Sequence, residues 1–452
     1  MRALVALVLL ASPGAYAEAP PPVGRCTDSV TWLAPETLPD GTPEAARRLE
    51  TWLARPDIDD ELLDPEAIAF LNQRNVEVLG AWRDPLADVA PRAEAVDAEL
   101  AERFAHIGLR LASGEYVLGP APEGTGLPGA SAVDEARLRV ENAIPIDVVQ
   151  AVVEPIDLRC IPLAGGLYRG RIDRQFDRNQ CSRLQPGELV RALRRTPDGW
   201  LYVRAGNVVG WLEHATLAPP MTPLEARALA ARPRLTVLGD LVPAETSRGE
   251  RVFLRLGTGL PLVDDAGDLY QILVPTTAGW TDAFVPKSEA LREGYLALTR
   301  RHALALAFAR LGDPYGWGGL GGYRDCSSLL LDVAATFDLR LGRNSSVQAQ
   351  AGSTVVDVTG KSDADKLAAV RAADQRGLVL LYMPGHIMLY LGELDGKAYA
   401  LSAISEYLLP CPEGGHRTVR IDRVDVTDLE RGRGTSRTSF VERITTLAVF
   451  GP

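Results

Sequence analysis

The sequence lacks most of the features that mark membrane, nucleic-acid-binding and metal-dependent proteins. It has 48 Lys and Arg residues against 59 Asp and Glu residues, and the net charge of -11 offers no basic footprint for nucleic acid or anionic lipid. After residue 17, no stretch is long and apolar enough to span a bilayer. The five histidines and five cysteines show no zinc-type spacing, and the glycine-rich run at 316–322 lacks the lysine of a phosphate-binding loop. We therefore expect no metal, no cofactor, no nucleic acid and no membrane span.

The first 17 residues have the pattern of a secretory signal peptide. Arg2 precedes an apolar run over residues 3–11, and the tripeptide AYA at 15–17 is a small-x-small cleavage site. Cys26 is not preceded by the small residues of a lipoprotein signal. We therefore expect an exported protein whose mature chain begins at Glu18.

Changes in composition and pattern divide the rest of the chain into four parts. A hydrophobic content of 46% with 24% charged residues is ordinary for a globular protein, and 452 residues can bury several cores. Residues 18–147 show helical apolar spacing and nothing that looks catalytic. Residues 148–220 and 221–290 each show short β runs separated by turns, which is the pattern of small barrels. Residues 291–452 begin with a helical pattern and continue into several strands.

The chemistry concentrates around Cys326, where the glycine-rich loop runs into a helix. From Ser327 onward apolar residues recur at helical spacing, and Asp325 occupies the N-cap position. The Cys326 thiol therefore lies in the first helical turn, where unpaired N–H groups and the positive helix end lower a thiol pKa. We expect Cys326 to be a nucleophilic thiolate, although a lone cysteine is more often a small core residue.

A nucleophilic cysteine needs a base, and His386 stands out among the histidines. Pro384 and Gly385 turn the chain, and residues 386–392 then read as a buried strand that holds the histidine rigidly at its start. Its imidazole would take the thiol proton and later donate a proton to the leaving amine. A lone histidine is more often structural, so spacing alone leaves both interpretations open.

The cysteine count supports a free thiol. Five cysteines in an exported chain leave one without a partner. Cys160 with Cys181, and Cys26 with Cys411, are possible pairs, but sequence does not decide the connectivity. We expect Cys326 to be the unpaired cysteine.

Four motifs strengthen the case for the Cys326 and His386 pair. They are YGWGG at 315–319, DCSS at 325–328, RNSSVQ at 343–348 and GHIMLYLG at 385–392. In order and spacing they resemble the NlpC-type bacterial cell-wall cysteine peptidases, specifically the branch with an N-terminal clip segment and two SH3-like domains ahead of the peptidase. The resemblance covers nearly the whole mature chain.

This resemblance implies a multidomain architecture. An α+β papain-like cysteine peptidase domain at 291–452 would follow a mainly helical clip segment at 18–147 and two small SH3-like β-barrels at 148–220 and 221–290. The first barrel would wall one side of the active site. Tyr168, Asp173 and Asp177 are the candidates for that wall.

The resemblance also implies a role for each site residue. Cys326 would be the nucleophile and His386 the base, with the Cys326 N–H in the oxyanion hole. The third catalytic position, which orients the imidazole, aligns with Ser402, where relatives carry histidine, asparagine or glutamine; serine is shorter and can need a water to reach the ring. The implied substrate-binding residues are Tyr315 and Trp317 lining the cleft, Asp325 for the free α-amine of an N-terminal L-alanine, and Ser327 and Ser345 for D-glutamate.

These expectations together predict a periplasmic cysteine endopeptidase that acts on peptidoglycan stem peptides. It would hydrolyse the bond between γ-D-glutamate and the diamino acid, diaminopimelate, prefer peptides with a free N-terminal L-alanine, and serve cell-wall turnover or recycling. One alternative is a catalytically weak or inactive wall-binding scaffold, which the departure at Ser402 supports. Another is an amidase or acyltransferase that uses the same Cys and His pair.

Overall fold

The computed structural model describes residues 26–119, 129–213 and 216–452. The predicted signal peptide at 1–17 lies outside these residues and stays a prediction. Three large sheets hold most of the described strands, and helices pack on their faces and edges. Within the same residues, no helix is both long enough and apolar enough to cross a bilayer.

The N-terminal part, up to residue 141, combines helices with short strands. Asp64 caps its second helix by accepting a hydrogen bond from the Ala67 N–H at 2.8 Å, and Pro65 opens that helix. The longest helix buries the apolar face that its spacing predicts. The elements are β1 (Val30–Trp32), α1 (Leu49–Leu53), β2 (Glu61–Leu63), α2 (Pro65–Glu77), α3 (Ala93–Ala112), β3 (Tyr116–Leu118) and α4 (Gly129–Glu141).

This N-terminal part is fastened to the C-terminal part of the chain. Strand β1 pairs in parallel with residues 418–420, and the disulfide between Cys26 and Cys411 closes the same corner. The Asn72 side chain accepts a hydrogen bond from the Arg340 N–H at 2.7 Å and donates one to the Asp338 carbonyl at 2.6 Å. The segment predicted as mainly helical therefore also supplies an edge strand to the C-terminal sheet.

Residues 144–212 supply what we call the first sheet, in which all strand pairs are antiparallel. Its strands and an adjoining short one are β4 (Ile144–Ala151), β5 (Ile156–Arg159), β6 (Leu167–Arg169), β7 (Gln180–Leu184), β8 (Leu189–Arg195), β9 (Leu201–Ala205) and β10 (Val208–Leu212). The order is β4-β8-β9-β10-β5-β7, while β6 pairs with β3. Trp200 and Trp211 are buried in the core, and the disulfide between Cys160 and Cys181 joins the end of β5 to β7.

Residues 234–293 supply the second sheet, which follows helix α5 (Pro223–Ala230). Its strands are β11 (Arg234–Val237), β12 (Val242–Thr246), β13 (Arg251–Leu254), β14 (Gly259–Ala266), β15 (Leu269–Thr276), β16 (Gly279–Pro286) and β17 (Leu291–Glu293). The order is β13-β12-β16-β15-β14-β11-β17. Among the described residues neither order closes on itself, so the two predicted SH3-like barrels are not confirmed and only the two β-rich regions are.

The third sheet carries the elements around Cys326 and His386. The elements from residue 298 onward are β18 (Leu298–Thr299), which pairs with β2 outside this sheet, α6 (Arg300–Phe308), α7 (Cys326–Ala335), α8 (Ser345–Gln348), β19 (Thr354–Asp357), α9 (Asp363–Asp374), β20 (Leu378–Met383), β21 (His386–Leu394), β22 (Lys397–Pro410), β23 (His416–Asp428), α10 (Phe440–Arg443) and β24 (Thr446–Phe450). The order is β1-β23-β22-β21-β20-β24-β19, and only β1 runs parallel to its neighbour. Helix α7 packs on β21 and β22. The predicted arrangement of a Cys326 helix against a His386 sheet is therefore present.

Candidate active site

Cys326 is the first residue of α7 and Asp325 is its N-cap. The Asp325 carboxylate accepts the Ser328 N–H at 2.8 Å, and the Ser328 hydroxyl accepts the Asp325 N–H at 2.8 Å. The predicted cap is therefore confirmed, in the form of a reciprocal capping box. Cys326 is 8% exposed and is a free thiol, since the other four cysteines form the two disulfides that the sequence allowed.

The glycine-rich loop before the helix is shaped to fit against the first sheet. Gly318 and Gly319 have φ angles of 63° and 84°, which glycine adopts without strain. A Cβ atom on Gly318 would lie 2.4 Å from the Gln180 carbonyl oxygen in β7, so only glycine permits this approach. The Gln180 side chain in turn donates to the Gly318 carbonyl at 3.3 Å. The loop that leads into the nucleophile is therefore positioned by the first sheet.

The carboxylate of Asp325 is fully engaged within the protein. Arg343 contacts it twice, with Nη1 at 3.2 Å from Oδ1 and Nη2 at 2.7 Å from Oδ2. Oδ1 also accepts the Ser327 hydroxyl at 3.0 Å, and Oδ2 accepts the Gly318 N–H at 2.9 Å. Burial opposes ionisation, but the Arg343 charge and these hydrogen bonds hold the pKa of Asp325 at about 2. A substrate ammonium would have to displace Arg343, so this geometry does not favour the amine-binding role, which stays a prediction.

The two serines expected to bind D-glutamate lie in different environments. Ser327 is 5% exposed, and besides donating to Asp325 its hydroxyl accepts a hydrogen bond from Arg343 Nη1 at 2.8 Å. Ser345 opens helix α8 and is half-buried, and its hydroxyl makes no hydrogen bond within the described residues. Ser345 is therefore the serine whose hydroxyl is available to a ligand.

His386 opens strand β21, and its imidazole contacts the residue predicted to orient it. Nε2 lies 3.1 Å from the Ser402 hydroxyl, so the short serine side chain reaches the ring directly. Ser402 is 2% exposed and lies on β22, the strand paired with β21. Because Nε2 faces Ser402, Nδ1 is the nitrogen available to a thiol.

The Cys326 sulfur lies beside the start of the same strand. The N–H of Ile387, the residue after His386, is placed to stabilise the thiolate by a hydrogen bond. The Tyr315 hydroxyl is close enough for the thiolate charge to raise its pKa, although burial is the larger cause. As the first residue of α7, Cys326 has a backbone N–H without an intrahelical acceptor, which suits an oxyanion hole.

Burial sets the protonation of both groups. It raises the pKa of the Cys326 thiol to about 12, with a further contribution from the Asp325 charge, against the Ile387 N–H and Arg343. It lowers the pKa of His386 to about 4, with a further contribution from Arg443. The expected lowering of the thiol pKa by the helix end was therefore wrong, because desolvation outweighs it. The resting pair is a neutral thiol beside a neutral imidazole.

A cavity of about 440 Å³ opens at His386, while the buried Cys326 is not among its lining residues. Tyr315, Trp317 and His386 line it, as predicted for the two aromatic residues. Of the three wall candidates only Asp173 lines it, because Tyr168 is buried and Asp177 forms a buried ion pair with Arg159 at 2.8 Å. The remaining lining residues come from the loop before β7, the start of β21, the middle of β22 and β23, and the region around α10.

The sequence predicted no role for three arginines of this region: Arg343, Arg178 and Arg443. Arg343 lies within the RNSSVQ motif, and its position there was the only signal available. Arg178 stacks on Trp317 with its guanidinium carbon 3.7 Å from the ring centroid, and Arg443 lies near His386. Both contacts join residues more than 50 positions apart, which local patterns do not reveal.

One group of potential metal ligands occurs in the described part of the chain. It consists of Cys26, Cys411 and Glu413. Because the two sulfurs form a disulfide, they offer no thiolate to a metal.

Comparison with known proteins agrees with this geometry. Residues 312–398 match the model of the NlpC/P60 family, a range that includes Cys326 and His386. This part of the chain is therefore an NlpC/P60 domain. No curated protein matches the chain.

Solved structures extend the likeness to the fold. An NlpC/P60 endopeptidase from Photobacterium damselae subsp. piscicida superposes with a TM-score of 0.70 at 17% identity, covering 89% of this chain and 96% of that one. A protein of the NlpC/P60 family from Bacillus cereus ATCC 10987 gives a TM-score of 0.48 at 14% identity, covering 67% of this chain and 100% of that one. The Photobacterium structure therefore shares the fold of this chain over 89% of its length.

Proposed function

We propose that the protein is a cysteine endopeptidase that hydrolyses the bond between γ-D-glutamate and the diamino acid of peptidoglycan stem peptides. The observation that carries the proposal is the arrangement of Cys326 on the first turn of α7 and His386 on β21, with Nε2 held by Ser402 at 3.1 Å. The NlpC/P60 match over 312–398 supports the same class of activity, since the Photobacterium relative is an endopeptidase.

The geometry supports a stepwise acyl transfer in which proton transfer accompanies attack. His386 Nδ1 accepts the Cys326 proton as the sulfur attacks the scissile carbonyl, because burial keeps both groups neutral beforehand. The Cys326 N–H stabilises the developing oxyanion. The imidazolium then returns the proton to the leaving amine, and water hydrolyses the thioester with the same histidine as base.

The resemblance also implies a preference for a free N-terminal L-alanine bound by Asp325. That preference stays a prediction, because both Asp325 oxygens already pair with Arg343 and neighbouring donors. The two predicted D-glutamate contacts also stay predictions, since neither Ser327 nor Ser345 lines the cavity at His386.

We further propose that the protein is exported to the periplasm and that its two β-rich regions correspond to SH3-like domains. The signal-peptide pattern at 1–17 and the two disulfides support export, since disulfides persist in oxidising compartments. The first sheet supports its predicted role as a wall of the site, because its loop residues line the cavity.

The experiment that tests the proposal is mass spectrometry of products after incubation with L-Ala-γ-D-Glu-diaminopimelate. We expect release of L-Ala-D-Glu by the wild-type protein under reducing conditions and none by Cys326→Ala. An N-acetylated copy of the peptide tests the amine preference separately. Absence of cleavage by a folded wild-type protein would overturn the proposal.

One observation favours the alternative of a catalytically weak wall-binding protein. Cys326 is 8% exposed and its pKa is raised to about 12, so its thiol reacts slowly in the absence of substrate. Binding of the tripeptide to the wild-type protein without turnover would support this alternative.

A further inference from the structure

The cavity at His386 is rich in arginine, although the chain carries a net charge of -11. Six arginines line it against two carboxylates, those of Asp173 and Glu406. The arginines are Arg169, Arg171, Arg178, Arg420, Arg437 and Arg443. Because His386 is neutral, the lining carries a net positive charge.

Both carboxylates of the lining are already paired. Arg420 Nη1 lies 3.1 Å from Asp173 Oδ2 and 3.3 Å from Glu406 Oε2. Glu406 Oε1 pairs with Arg437 at 2.7 Å. Among the described residues that line the cavity, no carboxylate is left for a substrate ammonium.

Arg178 and Arg443, in contrast, are without counter-ions. Neither side chain forms an ion pair or hydrogen bond within the described residues, and the Nε atom of each is buried without a partner. Burial lowers the pKa of both guanidinium groups, which is the expected response of an unpaired cation in a partly dry site. Such a group is costly to bury unless a ligand supplies the anion.

The two arginines reach the cavity from different elements of the fold. Arg178 comes from the loop before β7 and lies flat on Trp317, so its outer N–H groups remain free to donate. Arg443 ends α10 and packs on Phe440, with its guanidinium carbon 5.1 Å from the ring centroid, close enough to His386 to lower the histidine pKa. A peptide that enters this cavity therefore meets two cations without counter-ions, one near Trp317 and one near His386.

We propose that Arg178 and Arg443 bind carboxylates of the substrate on either side of the scissile bond, so that the cleft selects acidic peptides. This inference rests on the proposed function and narrows its substrate. The peptide would carry the free α-carboxylate of its γ-linked glutamate and the side-chain carboxylate of diaminopimelate, which lysine lacks. Guanidinium groups pair with carboxylates bidentately, which gives both affinity and orientation.

The same lining affects how the N-terminus of the substrate peptide is accommodated. The cavity lining offers a substrate ammonium no free carboxylate, and Arg178 repels it. The N-acetylated peptide is therefore cleaved at least as well as the free-amine peptide, in contrast to the preference that the resemblance implies.

The test compares four peptides on the wild-type protein by kcat/KM. They are L-Ala-γ-D-Glu-diaminopimelate, its isoglutamine counterpart with the glutamate α-carboxylate amidated, its counterpart with lysine in place of diaminopimelate, and its N-acetyl form. We expect loss of either carboxylate to lower kcat/KM by about 10- to 100-fold, mainly through KM. Equal cleavage of the acidic, amidated and lysine peptides would overturn the inference while leaving the proposed function intact.

Variants then assign the carboxylates. Arg178→Gln and Arg443→Gln are each expected to lower kcat/KM for the acidic peptide by about 10- to 100-fold and to erase discrimination against one of the altered peptides. Arg178→Lys and Arg443→Lys retain charge and recover part of the activity. Arg248→Gln is the control, because Arg248 is exposed and does not line the cavity. An equal loss on all four peptides would indicate a merely structural role and contradict the inference.

A binding measurement distinguishes this inference from the proposed peptide hydrolysis. Calorimetric titration of Cys326→Ala with the same peptides is expected to show the acidic peptide binding about 10- to 100-fold more tightly than the amidated or lysine forms. Tighter binding of the acidic peptide, combined with no turnover by the wild-type protein, would defeat the proposed peptidase function and leave the carboxylate-binding site established. Equal affinities for the three peptides would defeat the inference, whatever the turnover.

Discussion

The two β-rich regions ahead of the NlpC/P60 domain look alike in size and strand content, yet they contact the active site differently. The first sheet reaches the open face: the loop before β7 supplies Asp173, Phe176 and Arg178 to the cavity, and β7 itself receives Gly318. The second sheet reaches the buried side of the nucleophile helix through charged residues. The first sheet therefore contributes to the cavity that would bind substrate, and the second sheet holds helix α7, which carries Cys326.

The second sheet acts through a buried ionic network. Asp240, after β11, accepts hydrogen bonds from Arg324 Nη1 at 2.6 Å and from Nη2 at 2.7 Å, and it also pairs with Arg310. Arg324 directly precedes Asp325 and is 3% exposed. Its Nε donates to Asp332 on α7 at 2.7 Å, and Arg255 of the second sheet region donates to the same oxygen at 3.0 Å. Buried ion pairs of this kind fix the position of helix α7 relative to the second sheet, which suits an anchoring role for the second region.

This comparison predicts that stability and substrate selection separate by region. The largest expected effect is on stability, from Asp240→Ala in the second region. Because Arg324 and Arg310 would be left in a largely buried site without this partner, the free energy of unfolding should fall by about 3 kcal/mol. Urea denaturation followed by tryptophan fluorescence measures it.

The matched control for Asp240→Ala is Asp265→Ala, which removes the carboxylate of an exposed ion pair with Lys287 in the same region. That change should leave the unfolding midpoint unaltered. If Asp240→Ala also left the unfolding midpoint unaltered, the second region would not anchor helix α7, and the contrast between the two regions would fail.

The next effect is on the contact between the first sheet and the glycine-rich loop. Gly318→Ala places a residue with a side chain at φ 63° and drives its Cβ to 2.4 Å from the Gln180 carbonyl. The backbone strain costs about 1–2 kcal/mol, and relief of the clash moves the loop that carries Trp317. We expect both lower stability and a kcat/KM reduced by more than tenfold.

Gly322→Ala tests the backbone strain alone, without a clash against the first sheet. Gly322 has a φ of 82° in the same loop, but a Cβ there meets nothing within 4 Å. It should cost similar stability with kcat/KM nearly unchanged. Equal loss of activity in both variants would mean that strain alone matters and that the first sheet does not position the loop.

Local sequence patterns predicted the elements on which the site depends. An N-cap aspartate followed by apolar residues at helical spacing placed the start of α7 correctly, and a glycine turn before an apolar run placed the start of β21. The Ser402 position, derived from strand alignment with relatives, does lie beside the His386 ring. These features depend on neighbours within a few residues or on one strand pairing.

What the sequence did not predict depends on distant neighbours. The pairing of Arg343 with Asp325, and the stacking of Arg178 on Trp317, arise only when separate parts of the chain meet. Desolvation likewise reversed the expected thiol pKa, since burial is a property of the whole fold. The strand β19 likewise depends on a distant neighbour, because it pairs with β24 near the end of the chain.

Ser402→Ala tests the orienting role of the hydroxyl with a smaller effect. It removes the group that contacts His386 Nε2, so the ring loses its fixed tautomer and kcat should fall about tenfold. Stability should change little, because Ser402 contributes a single side-chain hydrogen bond. Ser402→Thr keeps the hydroxyl and should retain most of the activity. If Ser402→Ala kept full kcat, a group other than Ser402 would orient the ring.

The smallest expected effect is a near absence of pH dependence in mildly acidic solution. An imidazole with the ordinary pKa of 6.5 would be about nine-tenths protonated at pH 5.5 and unable to accept the thiol proton, so activity would fall about tenfold between pH 7.5 and 5.5. Burial lowers the His386 pKa to about 4, which keeps the base neutral across that range, while the Cys326 pKa near 12 keeps the thiol protonated. We therefore expect kcat/KM to change less than about twofold from pH 5.5 to 7.5 and to fall only as pH approaches 4. A profile of kcat/KM against pH, with circular dichroism to confirm folding at each point, measures this. An acidic limb near pH 6.5 would show that the imidazole keeps its ordinary pKa and would contradict this prediction.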